Sequence, residues 1–173
     1  RLPEGQREAV LGEALAAARG IRDEKERAAA LAVLAPWLLE ALDMARGIWD
    51  EERRAAVLAA LAPYLPEALL GEALAAARGI RDEGRRAEAL AGLVPHLPEA
   101  QREAVLREAL DVARGIRDEW AQAKALAGLV PHLPEALLGE ALDVARGIED
   151  EEERAEALAA LAPRLGVPLW RRV

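Results

Sequence analysis

Apolar residues recur along this chain at helical spacing. Leu70, Ala73, Leu74 and Ala77 fall at i, i+3, i+4 and i+7, one face of a helix. Arg78, Gly79 and Ile80 follow, and a glycine just past a helix favours a turn closed by the next apolar residue. The Arg78 cation suits a helix C-terminus, and Asp82 with Glu83 suits the start of the next helix, as N-cap and first-turn anion. Ala87, Leu90, Ala91 and Val94 then repeat the same spacing. Pro95 is expected to end that second helix, because a residue before proline avoids the α region. Pro98 is placed where another helix can begin without losing a hydrogen bond.

The frame around these residues is written five times, at 18–36, 45–63, 77–95, 113–131 and 145–163, and in each copy the Arg of Arg-Gly-Ile stands 17 positions before a proline. One amphipathic hairpin cannot bury its own apolar face, whereas stacked copies can. The pattern therefore predicts ten main helices in antiparallel hairpins and no strands, with Gly20, Gly47, Gly79, Gly115 and Gly147 left-handed. A single repeat domain spans 1–165, with units at 2–36, 37–64, 65–96, 97–132 and 133–165, and a tail or cap at 166–173.

First-helix segments vary in length while the second do not. Counted back from the Arg, 97–114 has 18 residues, 65–78 and 133–146 have 14, and 37–46 has 10. Steps of four approximate one helical turn of about 3.6 residues, so the extra Gln101, Arg102, Glu103 and Ala104 are expected to lengthen the helix at its N-terminal end. The tail breaks the frame at Gly166 and Pro168, and Leu169 and Trp170 are expected to cover one end of the array. The opposite end, near Leu11 and Leu15, is expected to self-associate weakly. The chain begins at Arg1 without Met, which reads as a fragment of something longer.

Composition removes several functions. The sequence holds no Cys, Ser or Thr, which excludes disulfides, thiolate metal sites and the usual hydroxyl and thiol nucleophiles. Net charge is −8, with Arg interleaved among Glu and Asp, so a phosphate-binding surface is not expected and neither nucleic acid nor membrane is the anticipated partner. No apolar run reaches the roughly 18 residues of a membrane span.

With Leu70-Gly71 and Pro95 where a tetratricopeptide repeat has its Leu-Gly pair and terminal Pro, the chain resembles bacterial α-solenoids of the tetratricopeptide and HEAT class. It departs from them where Glu67, Leu74 and Ala87 occupy the places of Trp, Tyr and Phe. The recurring strings at 73–83 (ALAAARGIRDE) and 157–163 (ALAALAP) resemble the Ala/Leu/Arg-rich arrays of bacterial STAND-type NTPases, the NACHT and NB-ARC relatives. The resemblance implies an all-α, right-handed α-solenoid (superhelix) of five antiparallel helical hairpins, tetratricopeptide-like, serving as a ligand-sensing module. No P-loop is present, so no NTPase activity is carried over.

Three sets of positions vary between units or stand out by charge. After the terminal proline come Trp37, Tyr64, His96, His132 and Arg164, a ladder along one edge. These rings either anchor a partner or cover the turn beneath them. His96 and His132 lack a third ligand, and no metal or cofactor is expected. At the opposite edge Trp49 and Trp120 stand in polar loops, where each is either a contact residue or a cover over its own turn. Glu13, Glu40, Glu72, Glu108 and Glu140 form an acidic row on the first helices, reinforced by Asp43, Asp111 and Asp143. That row is either a solvated face or an acidic groove for a basic segment. No pair of carboxylates is set apart for catalysis. The sequence reads as a non-catalytic, cytoplasmic scaffold for a protein or peptide of basic character, with a ligand-free structural or designed repeat as the alternative.

Overall fold

The computed structural model describes residues 24–166 together with Val10, Glu13, Ala14, Ala17 and residues 20–22; between 24 and 36 the side chains described are those of Ala30, Val33 and Leu34. Eight α-helices follow in order: α1 (Glu24–Gly47), α2 (Glu51–Leu61), α3 (Glu67–Arg78), α4 (Glu83–Leu93), α5 (Glu99–Gly115), α6 (Glu119–Leu129), α7 (Glu135–Arg146) and α8 (Glu151–Leu161). Among the described residues every regular element is helical. The expected covering by the tail around Trp170, and the apolar end near Leu11 and Leu15, lie outside the described residues.

Local chemistry starts the second helices α2, α4, α6 and α8. Asp50, Asp82, Asp118 and Asp150 are their N-caps, and each carboxylate accepts from a first-turn N–H, at 3.0 Å from Arg53, 2.8 Å from Arg85, 2.8 Å from Ala121 and 2.8 Å from Glu152. Removing such a cap costs about 1 kcal/mol. Where each hairpin turns, a side chain from the second helix satisfies the carbonyls left at the end of the first: Arg54 donates to the Ile48 carbonyl at 3.0 Å, Arg86 to Ile80 at 3.0 Å and Arg154 to Ile148 at 2.9 Å. In the fourth unit Gln122 takes this place and donates to Ala113 at 3.1 Å.

Two turn expectations are corrected. Gly47 and Gly115 end their helices, Gly20 is helical, and Gly79 and Gly147 have φ of −74° and −75°. The left-handed glycine among the described residues is Gly166, at φ 68°. The Arg-Gly-Ile turn closes with tightened three-residue bonds such as Ile80 N–H to Ala77 O at 3.1 Å, which need no positive φ. The terminal proline likewise does not end the second helix by displacing the residue before it. Val94 stays right-handed (φ −50°, ψ −47°) and starts a 3-10 turn, Val94–His96. The chain becomes extended at Leu97 (ψ 151°), the residue before the second proline, Pro98.

That second proline explains the largest departure from the expected hairpins. Junctions 63–67, 95–99 and 131–135 read Pro-x-Leu-Pro-Glu, whereas 36–40 reads Pro-Trp-Leu-Leu-Glu. With one proline only, the helix runs through Pro36, and the second helix of unit one fuses with the first helix of unit two into the 24-residue α1. It is about 36 Å long at 1.5 Å per residue.

From unit two onwards each first helix lies against its own second helix, and the second helices pack in series, α2 on α4, α4 on α6 and α6 on α8. Leu58, Leu90, Leu93, Leu126 and Leu129 fill the space between them, with Ala73, Ala77, Ala109, Ala113, Ala141 and Ala145 allowing close approach of the first helices. α5 runs 17 residues without interruption against 12 in α3 and α7, so the extra turn of unit four is helical.

Candidate functional site

The outward side of the second helices carries three rows. Trp120, Lys124 and Gly128 follow at i, i+4 and i+8 on α6, and packing in series aligns them with their counterparts in the other units. The first row is Glu52, Gly84, Trp120 and Glu152, and the second is Ala56, Glu88, Lys124 and Glu156. The third row is Ala60, Gly92, Gly128 and Ala160, with no side chain larger than a methyl group. Beyond it, Tyr64, His96 and His132 each end a 3-10 turn. The result is a strip of Gly and Ala across the second helices, with the Tyr64, His96 and His132 turns along one side and Trp120 with mixed charges along the other.

On the charged side the Lys124 Nζ lies over the Trp120 ring, 4.9 Å from its centroid. Arg85 bridges the first two rows, at 2.8 Å from Glu52 and 3.0 Å from Glu88. Along the ring side, Tyr64 is half-buried against the core while His96 and His132 are exposed residues. Desolvation of its ring nevertheless lowers the His132 imidazole pKa below its usual value, which favours the neutral form. Arg164 is the unit-five member. It reaches back to the Val130 and Pro131 carbonyls, each at 3.0 Å, and so fastens unit five to the His132 turn. Trp37 stands apart as well, half-exposed within the continuous α1 rather than at a turn. Trp49, at 95% exposure, does not cover its own turn.

The acidic row is largely occupied by arginines. Arg78 makes two bonds to Glu108, at 2.8 and 2.7 Å, Arg46 pairs with Glu72, and Arg107 lies 3.6 Å from Glu140. The Arg of one Arg-Gly-Ile turn thus holds the row Glu of the next unit in two junctions. Asp43, Asp111 and Asp143 pair with the Arg three residues on in their own helices, at 3.1, 3.8 and 3.9 Å. Glu13 and Glu40 are exposed, and among the described residues no ion pair holds them. The row stitches first helices together, each exposed pair being worth up to about 1 kcal/mol.

A second cross-repeat device was not anticipated. The Glu51 carboxylate accepts from the N–H groups of Arg81 (3.0 Å) and Asp82 (2.7 Å) in the next unit. Glu119 does the same to Glu149 (3.1 Å) and Asp150 (2.9 Å). The bonds from Asp82 and then Arg81 hold the Glu51 carboxyl below the usual glutamate range. The available signal was the recurrence of Asp-Glu in every unit; in units two and four the Asp caps its own helix and the Glu caps the turn of the next unit. The Gly/Ala strip was also legible, three positions before each terminal proline, but sequence reading attends to side chains that are present rather than missing.

Among the described residues no group of three or more His, Asp or Glu side chains is placed to hold a metal ion, and no helix is long and apolar enough to cross a membrane. Comparison of the chain with protein-family models, curated proteins and solved structures gives no match.

Proposed function

We propose that this chain is a non-catalytic scaffold that binds an extended protein segment across its second helices. The observation that carries this reading is the strip of Ala60, Gly92, Gly128 and Ala160 between the Tyr64, His96 and His132 rings and the Trp120–Lys124 pair. A strip without larger side chains lets a bound backbone come close, and rings at its margin supply anchors of low conformational cost. Arg85 already pairs with Glu52 and Glu88, but Glu152 and Glu156 leave the outer two rows with an excess of negative charge over Lys124, which favours a segment carrying Lys or Arg. With Arg46, Arg78 and Arg107 committed to the first-helix carboxylates, that row adds long-range field rather than direct contacts.

The finer reading keeps the right-handed, tetratricopeptide-like superhelix and a place as the ligand sensor of a larger cytoplasmic bacterial protein of the STAND class. It rests on the ALAAARGIRDE-like and ALAALAP-like strings. An NTPase domain encoded beside this array would support it.

Titration of basic, neutral and acidic peptide pools, followed by Trp fluorescence, tests the binding reading. Basic pools bind best, and Gly128→Leu, where an added Cβ meets nothing within 4 Å, obstructs the strip and weakens binding about tenfold at unchanged helicity. Trp120→Ala weakens it by a similar factor. Equal binding of all pools, or full affinity in Gly128→Leu, removes the proposal.

A further inference from the structure

Interior repeats have two covered faces, one toward the preceding unit and one toward the following unit. At the backward face Ile80, Ile148, Leu93 and Leu129 are sealed, whereas their unit-two counterparts Ile48 and Leu61 are only partly buried. Met44 is 43% exposed where Val144 is 2%. The cause is α1: its continuous course through Pro36 keeps the first repeat's second helix from folding back as α2 folds along α4. At the forward face the open unit is the fifth. Leu158 is only partly buried where Leu90 and Leu126 are sealed, and Ala155 is exposed where Ala87 and Ala123 are buried.

These two open faces match each other in charge. Three kinds of contact join unit two to unit three: the Glu51 cap on Arg81 and Asp82, the Glu52–Arg85 pair at 2.8 Å, and the Arg46–Glu72 pair. On the forward face of unit five the same positions hold Glu151, Glu152 and Arg146, all exposed. On the backward face of unit two they hold the Trp49–Asp50 N–H groups, Arg53 (its side chain 80% exposed) and Glu40. Glu152 thus faces Arg53 and Arg146 faces Glu40 in this register, although Arg53 and Arg146 also pair with Asp50 and Asp143 of their own units, at 3.6 and 3.9 Å. Unit one does not match as well, since its sequence puts Lys25 where Glu52 and Glu152 stand, a cation facing Arg53 in the same register.

We infer that this chain self-associates head to tail, unit five of one copy stacking on unit two of the next through a continuation of its own inter-repeat interface. The contact is heterologous, so it leaves an open face at each end of a dimer and extends to longer arrays. Apolar burial at Met44, Ile48, Leu61 and Leu158 supplies attraction, and the Glu152–Arg53 and Arg146–Glu40 pairs fix orientation and register.

The test is sedimentation velocity of the full chain between about 1 and about 500 µM, a span suited to weak association. The weight-average mass rises with concentration. Glu152→Arg and Arg53→Glu each weaken association about tenfold, because each variant alone brings like charges together at its junctions. Mixing the two restores it: in an alternating array every junction again joins a cation to a carboxylate, in the original sense at one junction and reversed at the next. Gly128→Leu, which lies in the Gly/Ala strip, leaves self-association unchanged, so this inference and the binding reading fail separately. Circular dichroism verifies that the exposed substitutions leave the helices intact. A monomer throughout the range overturns the inference. So does association that ignores the charge reversals, or a mixture no stronger than its components.

Discussion

Two glycines at different places in the repeat have opposite roles at the residue scale. Gly92 lies where α4 meets α2: a Cβ there would stand 2.9 Å from the Ala59 Cβ. Gly115 ends α5 with open space around its missing Cβ and no need of a positive φ. Gly92→Ala is therefore expected to lose about 1–3 kcal/mol through overpacking. Gly115→Ala is expected to be neutral or to gain about 0.5–1 kcal/mol, since Ala has the better helix propensity and restricts the unfolded chain. Urea unfolding of both variants checks the pair. A marked loss in Gly115→Ala would show that the turn passes through a left-handed state after all.

At the scale of elements, one missing proline decides whether two helices or one form. Leu39 is the counterpart of Pro66, Pro98 and Pro134, and it is exposed. Leu39→Pro recreates the double-proline junction and is expected to split α1, with Leu38 becoming extended as Leu65, Leu97 and Leu133 are. The variant loses a helix-interior bond, a local cost of about 3 kcal/mol, which docking of the freed segment on Met44 and Leu61 offsets in part. Carbon chemical shifts at Leu38 and amide exchange at Ile48 and Leu61 report the two events. Shifts that remain helical at Leu38 would count against the second proline as the breaker.

For the whole molecule, stability depends on contacts one repeat apart, and the carboxylate caps make part of that coupling sensitive to acid. The ordinary glutamate value is 4.5, and the folded Glu51 carboxyl lies below it because of the Asp82 and Arg81 N–H groups. A depressed folded pKa means that the cap's contribution is fully present above the unfolded value and is lost as pH falls through the folded one. Glu51→Gln is accordingly less stable than the parent at pH 7, and the gap narrows on acidification below about pH 4.5. Thermal melts at pH 7 and in acid check the convergence. A gap that is constant with pH would place the loss in shape rather than charge.

The amino-acid sequence by itself determined the hairpin units, the Asp caps of the second helices, the buried faces of units three to five and the lengthened α5. Those features depend on residues within one or two helical turns of each other, where periodicity and capping chemistry act directly. Partners about 30 residues apart were decided only by tertiary structure. Glu72 and Glu108 look like a free acidic row until stacking brings Arg46 and Arg78 beside them, and Glu51 looks like a helix-dipole residue until the next turn arrives under its carboxylate. The candidate strip shares this origin. Its residues are small in the sequence, but only parallel packing of α2, α4, α6 and α8 lines them up between the rings and Trp120. The fused α1 and the open faces it leaves are also tertiary outcomes, because a lone proline can be accommodated in a helix or end it. Here no second proline forces the chain out of the helix.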